Sequence, residues 1–178
     1  VFPSFSAAWR ISEEDFFQSD VFSNLKLRAS YGSLGNNAVG NYEYQASYNS
    51  ANYILNNNLF VGFAQTALSN AALTWESTYI SNIGLDFDLL SNRIGGSIEV
   101  FDKHTKNILI DLPAPLVVGN ASIPKQNSAS VRNRGVELNL NYRNRIEDFN
   151  YRIGGNFTFV DNKVTKYKDG QRTISGTN

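Results

Sequence analysis

Between residues 131 and 159 the chain reads "VRNRGVELNLNYRNRIEDFNYRIGGNFTF", and apolar side chains recur at nearly every second position on either side of a short charged break. Val136, Leu138, Leu140 and Tyr142 alternate with Glu137, Asn139, Asn141 and Arg143. After "RNRIED", Phe149, Tyr151, Ile153, Phe157 and Phe159 fall on one face and Asn150, Arg152, Asn156 and Thr158 on the other. A period of two belongs to a strand whose faces meet different environments; a helix would repeat at about 3.6. Two such runs joined by a short polar connection predict a β-hairpin.

The same pattern predicts about six strands, near 4–11, 24–34, 75–90, 93–104, 132–143 and 149–160. The breaks at 12–23, 91–92 and 144–148 are short, whereas 35–74, 105–131 and the tail after Val160 are long and polar. In an up-and-down antiparallel sheet this alternation puts every short turn at one edge and every long loop at the other. One face then collects Leu25, Leu27, Ala29 and Tyr31, then Ile83, Leu85, Phe87 and Leu89, then Ile94, Ile98 and Val100, with the two sets quoted above. The other collects Lys26, Arg28, Glu76, Asn82, Asp86, Asp88, Glu99, Lys103, Glu137 and Arg152, with Ile80 and Leu90 as apolar exceptions. Trp9, Phe16, Phe17, Phe87, Tyr142, Phe149 and Tyr151 gather beside the short turns, where the interfacial girdle of a membrane barrel stands.

An antiparallel sheet in a soluble protein also has one buried and one wet face. The pattern therefore admits two architectures. One is an all-β segment of a transmembrane barrel in contact with the lipid bilayer, with short periplasmic turns and long extracellular loops. The other is a soluble or surface-exposed β-sandwich whose apolar faces form a core and whose aromatic loops bind carbohydrate.

Composition narrows the field. Sixteen Lys and Arg balance 16 Asp and Glu and are scattered, so the electrostatic footprint of a nucleic-acid binder is missing. Cysteine is absent, which excludes disulfides and thiolate metal sites. No apolar run reaches the ~18 residues of a membrane helix, but a membrane strand needs only ~10 alternating ones. The 178 residues contain no Met and open at "VFPSFSAAWR", inside an apparent structured segment, so a piece of a longer protein is expected.

Candidate chemistry is sparse. Glu13, Glu14 and Asp15 lack an accompanying His or second acidic cluster and read as a solvated turn in which Ser12 caps a short helical turn. Asp86 and Asp88, with Glu76, suit either a calcium site or a wet wall partnered by Lys26 and Arg28, and the wall is the simpler reading. His104 stands at the loop end of a strand with no nucleophile context and reads as a surface histidine. "YGSLGN" matches no phosphate-loop spacing, so Gly32 and Gly35 are expected to release a strand into its loop. Of the two sequons, that at Asn156 falls in a strand and is not read as glycosylated, and that at Asn120 is set aside on the resemblance described below. No catalytic, cofactor-binding or metal-ligating constellation is predicted, and the chain is not read as an enzyme. The loop after Gly35 is richer: Tyr42, Tyr44, Tyr48 and Tyr53 are interleaved with Asn36, Asn37, Asn41, Asn49 and Asn52, a mixture suited to stacking on sugars or gripping peptide backbone. "LPAPLVVGN", with Pro113 and Pro115, reads as an extended arm.

Several phrases, in order, resemble one family: "FPSFSAAWRISEEDFF", "SNLKLRASYGSLGN", "LTWESTYISNIGLDFDLLSNRIGGSIEVFDKHTKNIL", "VRNRGVELNLNYRN" and "DNKVT". They are similar to the SusC/RagA type of TonB-dependent outer-membrane receptor of Bacteroidetes. The resemblance implies a barrel of about 22 strands around an N-terminal plug. It also implies a periplasmic TonB box, location in the outer membrane of a Gram-negative cell, and import of oligosaccharides or peptides with a SusD-like lipoprotein lid. Neither plug nor TonB box is in this sequence. The piece resembles an internal part of the C-terminal half of the barrel, ending at "SGTN" in an expected extracellular loop, and the "LPAPLVVGN" arm becomes a candidate contact for the lid.

Overall fold

Alternation becomes backbone pairing in eight strands of a computed structural model that describes residues 1–113 and 116–168. They are β1 (Ser4–Arg10), β2 (Phe22–Asn36), β3 (Ser47–Leu55), β4 (Asn58–Ala67), β5 (Glu76–Leu89), β6 (Ile94–Ile110), β7 (Gln126–Ile146) and β8 (Phe149–Tyr167). Six form one sheet in the order β1-β2-β5-β6-β7-β8, and β3 and β4 form a separate two-stranded sheet. The tail at "SGTN" and Pro115 of the arm lie outside the described residues.

Residue contacts set the register of the large sheet. β1 and β2 run antiparallel, with Trp9 opposite Leu27 and Phe5 opposite Tyr31. Asn24 meets Asp88 while Ser30 meets Asn82, so β2 and β5 are antiparallel as well. Thr78 meets Thr105 while Asp88 lies against Gly95, which orients β6 against β5. Asn139 reaches Ser97 and Asn141 reaches the Gly95 carbonyl, and Asn162 bonds Asn133 while Gly154 lies beneath Leu140. Together these contacts align Trp9, Leu27, Leu85, Ile98, Leu138 and Phe157 in one row across all six strands, on the face that alternation makes apolar.

Among the described residues, none forms a protein layer over that face. Ile83, Phe157 and Phe159 keep 62%, 61% and 60% of their surface, and Ala129 is the one apolar residue of the described set that counts as buried. Such a continuous apolar surface would drive aggregation in water and is matched by lipid. The sandwich alternative, which needs these side chains packed between two sheets, does not form. The result is instead a segment of an unclosed barrel wall that, among the described residues, ends at β1 on one side and β8 on the other.

Short turns and long connections alternate as the sequence requires. At one edge, Leu90, Ser91 and Asn92 turn through left-handed backbone, with φ of 52°, 54° and 65°, and Glu147 turns the last hairpin at 52°. Leu90, assigned to the wet face, is in fact a turn residue and breaks no alternation. The aromatic girdle assembles here: Trp9 lies 6.2 Å from Phe16, Tyr142 5.9 Å from Tyr151, and Phe149 6.2 Å from Tyr151 between ring centres. The Ile11–Glu13 turn is a single 3-10 turn with no side-chain cap, so Ser12 does not cap it. Glu14 instead accepts the Trp9 indole N–H at 2.7 Å, and Arg10 pairs with Glu13 at 3.7 Å.

At the other edge the strands run further than hydropathy indicates. β2 reaches Asn36, so Gly32 sits inside the strand opposite Ser4 and Gly35 one residue before its end. β6 continues to Ile110, which puts half-buried His104 within a strand rather than at its end. β7 begins at Gln126 and β8 continues to Tyr167. The segment 35–74, read as loop, contains the β3–β4 hairpin, closed by Asn56 and Asn57 with φ of 51° and 62°. Two asparagines are a favourable pair for such a turn, because Asn tolerates the left-handed region. The arm is not wholly extended: Leu116–Val118 forms a 3-10 turn.

The chain divides into two compact units. The first holds residues 1–34, 78–105 and 131–164, and the second holds 35–77 and 106–130 with the described residues from Thr165 onward.

Candidate functional site

On the wet face of the first unit, charged side chains pair across strands. Arg28 of β2 donates from Nε to Asp86 of β5 at 3.1 Å and reaches over to Glu99 of β6, Nη1 to Oε2 at 2.5 Å. The guanidinium can cross β5 because Gly84 lies beneath it: a Cβ there would stand 2.7 Å from Arg28 Cζ. Lys26 adds a weaker contact to Asp86 at 3.9 Å. Asp88 accepts from Asn24 at 3.3 Å and faces Arg143 at 3.7 Å. These pairs remain partly exposed, so they are worth modest stability and chiefly keep the wall hydrated and charged. Asp86 and Asp88 thus have cationic partners, and among the described residues no group of three or more His, Cys, Asp or Glu side chains is gathered for a metal ion. Glu76, in the second unit, accepts instead from Asn36 and from the Leu109 backbone N–H, both at 2.9 Å.

The second unit is built largely by asparagine. Asn127 accepts the Thr74 N–H at 2.8 Å and donates to the carbonyls of Thr74 and Asn107 at 2.7 and 2.8 Å. Asn70 donates to the Lys125 carbonyl at 2.9 Å, and its own N–H meets the Tyr44 carbonyl at 3.1 Å. One amide side chain both donates and accepts, so it can stand in for a missing backbone partner where irregular segments meet. A short parallel bridge joins Ala67 to Ser122, with Leu68 N–H on the Ser122 carbonyl at 3.0 Å. These contacts frame a polar depression of about 370 Å³ lined by Tyr42, Glu43, Asp111, Pro124 and Lys125 among others.

Of the four tyrosines singled out in the sequence, Tyr42 lines this depression, in left-handed backbone with φ of 65°. Tyr44 lies in the same turn, where its hydroxyl accepts from Gln45 at 3.0 Å. Tyr48 and Tyr53 are on β3, an odd number of residues apart, and therefore on opposite faces of the hairpin. Tyr53 stacks on Phe60 at 5.8 Å across the strand pair, while Tyr48 shares its face with Ile54, Leu59, Val61 and Phe63. The structure therefore joins Tyr42 and Tyr44 and separates the other two. Hydropathy did not reveal Asp111 and Lys125, which converge from a segment far along the chain.

The family model described as TonB dependent receptor-like, beta-barrel matches residues 1–177. TonB-dependent receptor P39 of Formosa agariphila is 37% identical over 170 residues, 94% of this chain and 16% of that protein. TonB-dependent receptor SusC of Bacteroides thetaiotaomicron is 30% identical over 180 residues, 95% of this chain and 17% of that protein. Among solved structures, the RagAB peptide importer in its open-open state superposes with a TM-score of 0.82 at 30% identity, covering 99% of this chain and 19% of that one. The chain thus spans less than a fifth of the length of these relatives. With the family model matching nearly the whole chain and relatives at 30% identity or more over 94% or more of it, the chain belongs to the TonB-dependent receptor β-barrel family, of SusC/RagA type.

Proposed function

We propose that this chain is part of the barrel wall of an outer-membrane importer that takes up oligosaccharides or peptides, driven by TonB and working with a SusD-like lipoprotein. The observation that carries the proposal is the six-stranded sheet itself, apolar on the lipid side and lined on the other by the Arg28, Asp86 and Glu99 network. The neighbour solved as a peptide importer supports import, and SusC supports the kinship with the lipoprotein-coupled branch. In this reading the second unit faces the extracellular vestibule. Tyr42, Tyr44, Tyr48 and Tyr53 present aromatic surface to substrate, and the segment around Leu116 and Val117, both fully or almost fully exposed, meets the lid. TonB would act through parts of the receptor outside this chain.

Energised uptake in cells tests this. A strain carrying the full-length receptor should accumulate labelled oligosaccharide or oligopeptide, lose that uptake when TonB is deleted, and yield a lipoprotein that copurifies with the receptor. Accumulation of neither substrate class above a receptor-deleted strain would overturn it.

A further inference from the structure

On β6, β7 and β8 the apolar face does not fade toward the long-loop edge but stops between two adjacent rows, whereas on β1 and β2 Phe5 and Tyr31 carry it one row further. Ile83, Val100, Val136 and Phe159 form the last apolar row, and directly beyond them Asp102, Arg134 and Asp161 form a charged one. Both rows line a single depression of about 410 Å³, open on the lipid side. Arg132, one row further on, holds Asp102 with Nε to Oδ1 at 2.9 Å and Nη2 to Oδ2 at 2.5 Å. Arg134 touches the same carboxylate only through Nε, at 3.3 Å. Alternation along β8 puts Lys163 on this face too, beside Asp161.

A charged cluster on the outside of a barrel is costly in hydrocarbon, so this row marks the level at which lipid headgroups begin. The level is the outer one, since it lies toward the long loops. There the cations Arg132, Arg134 and Lys163 outnumber the carboxylates Asp102 and Asp161, and Asp102 is engaged by the fork of Arg132. We infer that Arg134, at the mouth of the groove between Ile83, Val100, Val136 and Phe159, binds the phosphorylated headgroup of an outer-leaflet lipid, one of whose acyl chains lies in that groove. Arginine suits this role because its planar guanidinium donates to phosphate oxygens at the point where the chain meets water. Asp102 is a positioning residue that holds both guanidinium groups against the sheet. Asp161, across from Arg134, opposes the phosphate and weakens the site.

The inference rests on the transmembrane reading of the sheet, and its test separates the two. Full-length receptor in nonionic detergent is titrated with lipid A, a phosphorylated acylated glycolipid, and bound lipid is counted by native mass spectrometry. Heat-modifiable migration is followed in parallel. Wild type should retain lipid A, Arg134→Gln should bind about fivefold more weakly, and Asp161→Asn more tightly. Arg134→Lys, which keeps the charge, should recover part of the binding. Unchanged binding in a heat-modifiable Arg134→Gln receptor would overturn the site, as would equal retention of dephosphorylated lipid A. Displacement of lipid A by millimolar inorganic phosphate would reassign the site to a free anion and overturn the lipid. A receptor that never migrates as a heat-modifiable barrel would sink the transmembrane reading itself.

Discussion

The six-stranded sheet and the β3–β4 hairpin are both antiparallel β-structure with exposed apolar side chains, yet they are specified differently. In the sheet, apolar residues keep mainly to one face over six strands, with Ile80, Phe101 and Val160 among the exceptions, and the opposite face carries paired charges. In the hairpin both faces carry aromatics: Tyr53 stacks on Phe60 on one, while Tyr48, Leu59 and Phe63 share the other. Phe63 and Leu59 keep 77% and 66% of their surface. A sheet held between lipid and a wet lumen is told by its surroundings which residue goes where. A two-stranded hairpin is marginal alone, and its register rests on its turn and on a few cross-strand pairs.

The widest test of that difference is a single step along β7. In the intact receptor, Leu138→Arg should cost about 2–4 kcal/mol if the position lies near the bilayer midplane, because it puts a charge on the lipid face of β7. Asn139→Arg, one residue away on the wet face, should be tolerated. Heat-modifiable migration compares the two, and equal damage would end the assignment of faces.

Glycines sharpen it next. Gly96 lies where Phe87 and Leu140 close over β6, and an added Cβ would stand 2.6 Å from the Asn139 carbonyl oxygen and 2.7 Å from Phe87 Cζ. Gly96→Ala should therefore cost about 1–3 kcal/mol by overpacking. Gly155 has no atom within 4 Å of such a Cβ, so Gly155→Ala should change stability by less than ~0.5 kcal/mol. Urea titration of the folded barrel in detergent measures both, and a reversed order would contradict the alignment of rows.

A smaller and more local effect is expected at the hairpin turn. Asn57→Val puts a β-branched residue at φ of 62°, a strain of about 1–2 kcal/mol. Hydrogen exchange should quicken across 47–67 while the barrel stays heat-modifiable. Exchange that quickened in β5 or β6 as well would show the two regions to be coupled.

The smallest effect separates the two hairpin tyrosines. Tyr53→Ala removes a stacked pair worth about 0.5–1.5 kcal/mol and should loosen the hairpin, whereas Tyr48→Ala should leave its exchange unchanged. If Tyr48→Ala impairs uptake and Tyr53→Ala does so only as far as it loosens the hairpin, substrate meets the Tyr48 face. The opposite result would place it on the other.

The strand period, the sorting of short turns from long loops, and the lipid-facing set from Leu25 to Phe159 were all legible in the residues, because a side-chain period of two is imposed by the backbone whatever the neighbours are. Strand ends were not. Toward the loops, β6, β7 and β8 lengthen through polar residues such as Lys106, Asn127 and Lys163, since pairing with an adjacent strand satisfies the backbone without any apolar face to announce it. The hairpin hid for another reason: apolar side chains on both of its faces leave no alternation to read, and it lies in a stretch rich in asparagine, the residue that also serves its turn. The crossing of Arg28 over Gly84, the shared depression of Tyr42 with Asp111 and Lys125, and the row that joins Asp102 to Arg134 depend on how segments distant in sequence come together. No local pattern encodes such an arrangement, so these juxtapositions were decided only when those segments met.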